Sequence, residues 1–412
     1  MSYRHTRCDV AVTGIGLVTP GGVGVWPSWE RILRGESTAA SADPELTGLP
    51  VDFSCRVPGF DADQLLGRRI AWRQDRFVHL GLVAAREALA DAGLDPKSWD
   101  GSRVGIVVGN ALGGTKLFEE ARSTLDSEGA GKVSPVLIPQ MGQSSLGGFL
   151  SIDCGATGPN ITTVTACASG ATAIGTARDL LRAGVCDVVL TGGTESAISP
   201  TIIAGFHQLG ALSKRGDDPA GASRPFDDGR DGFVAAEGAG MLVLERAADA
   251  RARGAQPLAL LSGYGASADA YHPTAPRADG AGVEQAVRMA LADAGIGPQE
   301  VDHINAHGTS TPLNDAAEAQ VIRRIFGDRP VVTSVKGALG HTLGAAGAIE
   351  AICTVLSVRH GVVPPTANLD SPDPRVELDI VTKVHRTMPV RTAVSNSFGF
   401  GGLNAVLVFN AA

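Results

Sequence analysis

The stretch that decides the fold occurs twice: ALADAGLDP at residues 88–96 returns as ALADAGIGP at residues 290–298. Each copy is typical of the end of a helix, because a glycine followed closely by a proline stops helical hydrogen bonding. An apolar run typical of a buried strand follows each copy, VGIVVGN from Val104 and VDHINAH from Val301. A repeat of this kind predicts two copies of one supersecondary unit.

Two further sequence repeats occur in the same order along the chain. LRAGV at residues 181–185 returns as VRHGV at 358–362, and GAGMLVLE at 238–245 returns as GGLNAVLVF at 401–409. We therefore predict a layered α/β fold made of two similar halves, residues 1–253 and 254–412, joined within residues 246–256. Two such halves related by a pseudo-two-fold would bring equivalent strand ends to one cleft.

Composition excludes several classes of protein. The chain has 412 residues, 44% of them apolar, which excludes a disordered protein, and its net charge of -8 argues against nucleic acid or an anionic membrane as partner. No apolar run reaches the ~18 residues of a membrane span, and the N-terminal residues predict a strand rather than a secretory signal. Six scattered cysteines without CxxC spacing predict reduced thiols and a cytoplasmic location.

Cys167 is the candidate nucleophile. It lies in NITTVTACASGATAIGTARDLL, residues 160–181, where a β-branched strand runs through a turn of small residues into a long helix. Free N–H groups and the dipole at a helix start are expected to lower a thiol pKa and favour thiolate. The alternative is a buried structural cysteine. We keep that alternative for the remaining cysteines: Cys8, Cys55, Cys154, Cys186 and Cys353.

Two histidines follow predicted strands, where α/β folds place site residues. His307 lies in VDHINAHGTSTPLND, and His341 lies in VVTSVKGALGHTLGAAG after Lys336. A lone histidine is more often a hydrogen-bonded structural residue, but two in such contexts indicate a site. A metal site is not predicted, because the chain has neither HExxH nor paired Cys/His spacing.

The segment NSFGFGGLN, residues 396–404, is the fourth candidate. Glycines beside Phe398 and Phe400 favour a backbone that offers N–H groups at close range, with a phenylalanine able to swing. The alternative is a hairpin or bulge of a core strand.

The four motifs TACASG, NAHGTSTP, KGALGHTLGAAG and NSFGFGG resemble the β-ketoacyl-acyl-carrier-protein synthases, the elongating condensing enzymes of type II fatty-acid and polyketide synthesis. The resemblance covers nearly the whole chain. It implies the thiolase fold, a five-layer α-β-α-β-α arrangement built from two duplicated halves. It also implies an acyltransferase that condenses malonyl-carrier with an acyl group held on a cysteine, and no metal or redox cofactor, since the phosphopantetheine arrives on the carrier protein.

The same resemblance assigns roles to residues of this chain. Cys167 is the acylated nucleophile, and His307 and His341 handle malonyl decarboxylation. Lys336 and Glu318 organise the site, and Phe400 is a gatekeeper whose N–H joins that of Cys167 in the oxyanion hole. The substrate-binding positions are Thr309 and Thr311, which contact the phosphopantetheine arm, with Phe398 and Gly399.

The expected partners are an acyl carrier protein and a second subunit, either an identical chain or a chain-length-factor-like protein. Because carrier and chain are both acidic, docking needs a local basic patch. The expected docking residues are Arg68, Arg69, Arg73, Lys214 and Arg215, with an ordinary solvated face as the alternative.

Some positions of this chain depart from the usual motifs of the family that it resembles. Leu403 replaces the usual threonine of GFGGTN, and the turn from Lys336 to His341 is also unusual, which favours specialised metabolism over a housekeeping synthase.

The competing functions are a polyketide ketosynthase subunit paired with a chain-length factor, a non-catalytic partner protein on the same fold, and a cysteine hydrolase.

Overall fold

The computed structural model describes residues 8–39 and 42–412, so residues 1–7 of the predicted first half lie outside the described part. The strands are β1 (Val10–Thr19), β2 (Gly22–Val23), β3 (Val104–Gly109), β4 (Asn160–Thr163), β5 (Val188–Glu195), β6 (Gly238–Arg246), β7 (Ala259–Ala268), β8 (His303–Asn305), β9 (Val331–Thr333), β10 (Val362–Val363), β11 (Arg386–Thr387), β12 (Thr392–Gly399) and β13 (Leu403–Asn410). The helices are α1 (Val25–Leu33), α2 (Ala62–Leu66), α3 (Arg68–Ala71), α4 (Arg76–Asp91), α5 (Thr115–Glu128), α6 (Leu137–Met141), α7 (Ser145–Cys154), α8 (Ser169–Arg182), α9 (Pro200–Gln208), α10 (Ala247–Ala252), α11 (Ala281–Ala294), α12 (Pro312–Phe326), α13 (Lys336–Leu339) and α14 (Ala346–His360). Over these described ranges, every helix is too short or too polar to cross a membrane.

Ten strands lie side by side, five from each half of the chain in the same spatial order, and the short β2 pairs with β1 beside this path. The first half runs β4-β3-β5-β6-β1, and the second runs β9-β8-β12-β13-β7. The halves meet where residues 10–12 of β1 pair antiparallel with residues 259–261 of β7. If the five strands of each half are counted along the chain, both halves place them in the order third, second, fourth, fifth, first. The predicted duplication is therefore confirmed.

The repeated sequence stretches end equivalent helices. ALADAG forms the ends of α4 and α11, which pack on β1 and β7 respectively. Gly93 and Gly295 follow these helices with φ of 63° and 73°, a left-handed conformation that glycine adopts without steric cost and that ends a helix. The predicted division at residue 253 falls between α10 and β7.

The elements form five layers. Helices α4 and α7 cover the outer face of the first-half strands, here called the first sheet, while α11 and α12 cover that of the second-half strands, the second sheet. Between the sheets lie α8 and α14, whose apolar residues join strands of both halves in one core cluster. The first thirteen residues of α14 are all buried, as expected of a helix enclosed on every side. The predicted α-β-α-β-α architecture is confirmed.

The starts of α8 and α14 pack backbone against backbone. A Cβ atom added at Gly170 would lie 2.8 Å from the Ala348 nitrogen, and one added at Gly347 would lie 2.8 Å from the Ala171 nitrogen. Only glycine permits such an approach. Because Cys167 precedes α8 and His341 precedes α14, this contact brings the sulfur of one half to the imidazole of the other.

Candidate active site

Cys167 lies on a tight turn between β4 and α8. The preceding Ala166 has φ of 49°, a strained value for a residue with a side chain, and alanine keeps the cost small. Ser169 braces the turn, since its hydroxyl accepts the Thr165 N–H at 2.9 Å and donates to the Ala166 carbonyl at 2.6 Å. The sulfur is thereby held at the start of α8, as predicted from the sequence.

His307 is positioned by the carboxylate of Glu318. One oxygen accepts the backbone N–H of His307 and the other that of Gly308, both at 2.8 Å, while Asn396 Nδ2 donates to the first at 3.0 Å. Burial raises the pKa of Glu318, and these donors act in the opposite direction because they favour the charged form. Glu318 therefore fixes the turn that carries the imidazole.

His341 is held by the first half of the chain. Its N–H donates to the Val234 carbonyl at 2.8 Å, and its carbonyl accepts the Ala236 N–H at 3.0 Å. The imidazole packs edge-on against Phe233 at 5.3 Å and against the His307 ring at 5.4 Å between centroids. The second imidazole is thus fixed across the boundary between the halves.

The three predicted catalytic groups meet at one point. The ligating atoms of Cys167, His307 and His341 all lie within 4.8 Å of one another, and all three residues are buried. Burial lowers the pKa of both imidazoles well below its usual value, so both are neutral near pH 7. These residue types also bind metals, and that the reaction needs no metal stays a prediction.

Lys336 fixes which nitrogen of His307 carries the proton. Its Nζ lies 3.3 Å from His307 Nδ1 and forms an ion pair with Glu350, with both side chains buried. An ammonium only donates, so Nδ1 accepts and Nε2 carries the hydrogen. Burial raises the pKa of Glu350 to about 7, and Lys336 opposes that shift. Sequence analysis missed Glu350, although an acid within the otherwise apolar AGAIEAICTVLSV was a usable signal.

The expectation of a lowered thiol pKa is wrong for Cys167. Burial raises its pKa to about 11, while the charge of Lys336 and the N–H groups of Phe400 and Cys167 lower it by less. The dipole at the start of α8 is only one of the influences on this thiol. Loss of hydration from the buried sulfur outweighs the effect of the helix dipole.

A cavity of about 610 Å³ opens onto the three groups. Thr309 and Thr311 line it, with their hydroxyls 2.9 Å apart, and Phe398 lies 5.7 Å from the His307 ring. Much of the remaining lining is apolar and includes Leu112 and Leu343, which sequence analysis did not single out. The predicted substrate-binding residues therefore all reach the cavity, and Gly399 is among its lining residues.

The turn from Phe398 to Gly402 closes against Cys167. A Cβ at Gly399 would lie 2.6 Å from the Thr165 carbonyl and 3.1 Å from the Cys167 nitrogen, so no larger residue fits. The Phe400 N–H is directed at the sulfur, which is the arrangement of a two-donor oxyanion hole with the Cys167 N–H. The Phe400 ring lies 6.4 Å from Phe206, which in turn contacts Phe233 at 5.3 Å. Sequence analysis missed both of these aromatic residues, because their contacts arise only in the folded chain.

The expected docking residues fall in two places. The Lys214 N–H donates to Asp231, a cavity-lining residue, so Lys214 and Arg215 lie close to the cavity. Arg215 is partly engaged, donating to the Gly229 carbonyl at 2.6 Å. Arg68, Arg69 and Arg73 lie on and just after α3, are exposed, and do not line the cavity. The Arg73 guanidinium lies 5.1 Å from the centre of the exposed Trp72 ring.

Solved structures share this architecture. The ishigamide ketosynthase/chain length factor superposes with a TM-score of 0.92 at 34% identity, covering 99% of this chain and 100% of that one. A type II PKS acyl-carrier protein in complex with its ketosynthase bound to the hexaketide gives 0.91 at 34% identity, with 98% and 99% covered.

Sequence comparison agrees with the structural comparison. The family model described as Beta-ketoacyl synthase, N-terminal domain, matches residues 7–250, and that of the C-terminal domain matches residues 258–370. A 3-oxoacyl-[acyl-carrier-protein] synthase 2 of Synechocystis sp. is 43% identical over 407 residues, with 97% of each chain covered. This chain therefore belongs to the β-ketoacyl synthase family of acyltransferases.

Proposed function

We propose that Cys167 carries an acyl group and that His307 and His341 drive its decarboxylative condensation with malonyl-carrier, giving a 3-ketoacyl-carrier two carbons longer. The observation that carries this proposal is the meeting of one sulfur and two neutral imidazoles at the end of a largely apolar cavity. The pathway is type II fatty-acid or polyketide synthesis.

Acyl transfer requires removal of the thiol proton. Because burial keeps Cys167 protonated at neutral pH, the proton must leave as the sulfur attacks the thioester carbonyl, and a neutral imidazole is the base within reach. The carrier thiol departs with a proton. The oxyanion forms between the N–H groups of Phe400 and Cys167, and one such donor is typically worth ~3–4 kcal/mol.

Condensation needs donors for a developing enolate. Loss of CO₂ from the malonyl group leaves a negative oxygen, and the Nε2–H of His307, set by Lys336, is a donor directed away from that lysine. His341 supplies the second imidazole. The carbanion then attacks the acyl carbonyl on Cys167, and the sulfur leaves as the new carbon–carbon bond forms.

The acyl groups arrive on an acyl carrier protein. Phosphopantetheine is hydrogen-bonded by Thr309 and Thr311, which line the cavity with their hydroxyls 2.9 Å apart. The carrier docks on exposed basic side chains that form no ion pair within the described chain, chiefly Arg68, Arg69 and Lys214. Their local charge offsets the net charge of -8.

The working unit is a dimer, formed either by two copies of this chain or with a chain-length-factor-like subunit. Strand β4 is at the edge of the first sheet, and an uncovered edge strand is a template for pairing. Helix α7 packs on β4, and both Ile152 on α7, 77% exposed, and Val164 just after β4, 47% exposed, present apolar side chains beside that edge. The structural likeness to a ketosynthase/chain length factor supports the mixed dimer as the second arrangement.

We also propose that the reaction uses no resident metal or redox cofactor and takes place in the cytoplasm. Each chemical step above is served by side chains and backbone groups of the chain. All six cysteines are unpaired, as expected in a reducing compartment.

The decisive experiment incubates the enzyme with a panel of acyl-carriers and malonyl-carrier, followed by mass spectrometry. We expect an acyl adduct on Cys167 and a 3-ketoacyl-carrier product for some acyl lengths, and neither with Cys167→Ala. Free acid without 3-ketoacyl product would instead make the protein a cysteine hydrolase. No adduct with any carrier would favour a non-catalytic partner protein.

A further inference from the structure

A buried carboxylate, Glu195, lies behind the cavity wall and has no part in the steps above. It is the last residue of β5 and is fully buried. Its oxygen Oε2 accepts the backbone N–H groups of Ala111 at 2.6 Å and Leu112 at 3.2 Å. The N–H groups of Gly113 and Gly344 also act on it, opposing the burial that raises its pKa to about 7. A buried acid with several main-chain donors ties those segments together.

The tied segments come from different halves. Ala111 and Leu112 follow β3, whereas Gly344 lies in the short turn between His341 and α14. The two turns touch, since a Cβ at Gly344 would lie 2.4 Å from the Ala111 nitrogen. Leu343, next to Gly344, has φ of 46°, an unfavourable value for a residue with a branched side chain. Such a conformation persists only where the surroundings hold it.

Each turn presents one leucine to the cavity. Leu112 comes from the first turn and Leu343 from the second, and both are lining residues. The N–H of Leu112 itself donates to Glu195, and Leu343 directly precedes Gly344, whose N–H also acts on Glu195. A short acyl group bonded to Cys167 occupies only the space around the sulfur, whereas a long one must pass along the apolar lining.

We propose that Glu195 is a positioning residue that holds Leu112 and Leu343 in place and thereby sets which acyl lengths the cavity accepts. The inference rests on the proposed function, since it concerns the acyl group that Cys167 takes up. It assigns Glu195 no contact with the substrate. Its effect passes through the two turns.

The test is Glu195→Gln, which keeps the volume but replaces one acceptor oxygen with an NH₂ group. An NH₂ group cannot accept the N–H groups that converge there, so at least one turn is released. The measurement is the rate of Cys167 acylation by acetyl-, butyryl-, dodecanoyl- and hexadecanoyl-carrier, followed by mass spectrometry. We expect the ratio of long-chain to short-chain kcat/KM to change at least about tenfold, with short-chain acylation nearly unchanged.

Glu87→Gln is the matched control. The Glu87 carboxylate also accepts two backbone N–H groups, those of Leu17 at 2.9 Å and Val25 at 2.8 Å, but it does not line the cavity or contact its turns. We expect this variant to keep the wild-type length profile. A uniform loss over all lengths in Glu195→Gln, or an equal change of profile in Glu87→Gln, would overturn the proposal. Absence of wild-type acylation would instead count against the proposed function.

A second measurement covers the case in which Glu195→Gln does not fold. Hydrogen exchange of the wild-type protein reports the amides of Ala111, Leu112 and Gly344 directly. We expect protection close to that of the neighbouring residues of β3. Exchange as fast as in an exposed loop would show that the turns are not held, and would overturn the proposal without any variant.

Discussion

The turns after β3 and β8 occupy equivalent places in the two halves, yet they differ in what they present. The turn after β8 carries His307, whereas the turn after β3 carries Asn110, whose side chain donates to the Gln143 carbonyl at 2.7 Å. Both turns have their backbone N–H groups bound by a buried carboxylate, Glu318 in one and Glu195 in the other. Both halves thus bind the backbone of the equivalent turn with a buried carboxylate, here called a clamp, although one turn carries the His307 imidazole and the other forms part of the cavity wall.

The two carboxylates come from different elements. Glu318 lies on α12, the helix that follows its turn, while Glu195 ends β5, the neighbouring strand. The two turns are equivalent in the duplicated fold, but the carboxylates that bind them are not at equivalent positions. This difference predicts different consequences when parts of each half are altered.

The largest effect is expected from the nucleophile, which the first half supplies. Cys167→Ala should lower condensation by at least about 10⁴-fold, because no acyl-enzyme can form. Decarboxylation of malonyl-carrier should persist, since both imidazoles remain in place. The assay is product formation alongside CO₂ release, with Cys186→Ala as a control at a buried cysteine outside the cavity. Loss of both condensation and decarboxylation in Cys167→Ala would contradict the assignment of decarboxylation to the two histidines.

The next effect concerns the ion pair beneath His307. Lys336→Met leaves the Glu350 carboxylate buried without its partner, and breaking such a pair typically costs about 3–5 kcal/mol. The free energy of unfolding, measured by denaturant titration, should fall accordingly. The double variant with Glu350→Gln should recover part of the loss. Equal stability of the single and double variants would show that the pair is not coupled.

The third effect compares the two clamps directly. Glu318→Gln should lower decarboxylation by about 10- to 100-fold, because a buried N–H that loses its acceptor costs about 1–3 kcal/mol. The loss should be the same for every acyl length, in contrast to the length-dependent change expected for Glu195→Gln. Single-turnover kinetics over the same acyl panel would separate the two patterns. Identical patterns would remove the functional distinction between the halves.

The fourth prediction concerns the pH dependence of Cys167. Its raised pKa, about 11, means that the thiolate fraction is small at neutral pH and grows about tenfold per pH unit below that value. Alkylation by iodoacetamide, read by mass spectrometry of the Cys167 peptide, should therefore keep rising from pH 7 to pH 10. A plateau already reached by pH 8 would indicate a lowered pKa instead.

The smallest effect is expected at the docking surface. Arg68→Glu combined with Arg69→Glu should raise KM for carrier substrates several-fold but leave small thioester mimics nearly unaffected, because only the carrier meets those charges. Arg323→Glu, on an exposed part of α12 in the second half, is the control. Equal effects on carrier and mimic substrates would remove α3 from the docking surface.

Much of the fold was predictable because the duplication left local traces. The ALADAG copies indicate the ends of α4 and α11, and the strand-turn-helix context indicates Cys167 as the candidate nucleophile. The site residues that the sequence did not indicate, such as Phe206 and Phe233, lie in none of the four motifs. They reach the cavity because the halves are packed together. The thiol pKa was mispredicted for the same reason, since burial depends on elements distant in sequence.

The close packing of α8 on α14 has a consequence for how substrates gain access. With main chains this near at Gly170 and Gly347, the halves cannot hinge apart without breaking the central layer. Separation of the two halves is therefore not expected to admit a carrier-bound acyl chain to the cavity. We therefore expect substrates to enter and leave through local rearrangements at the rim of the cavity, with the spacing of the sulfur and the two imidazoles preserved.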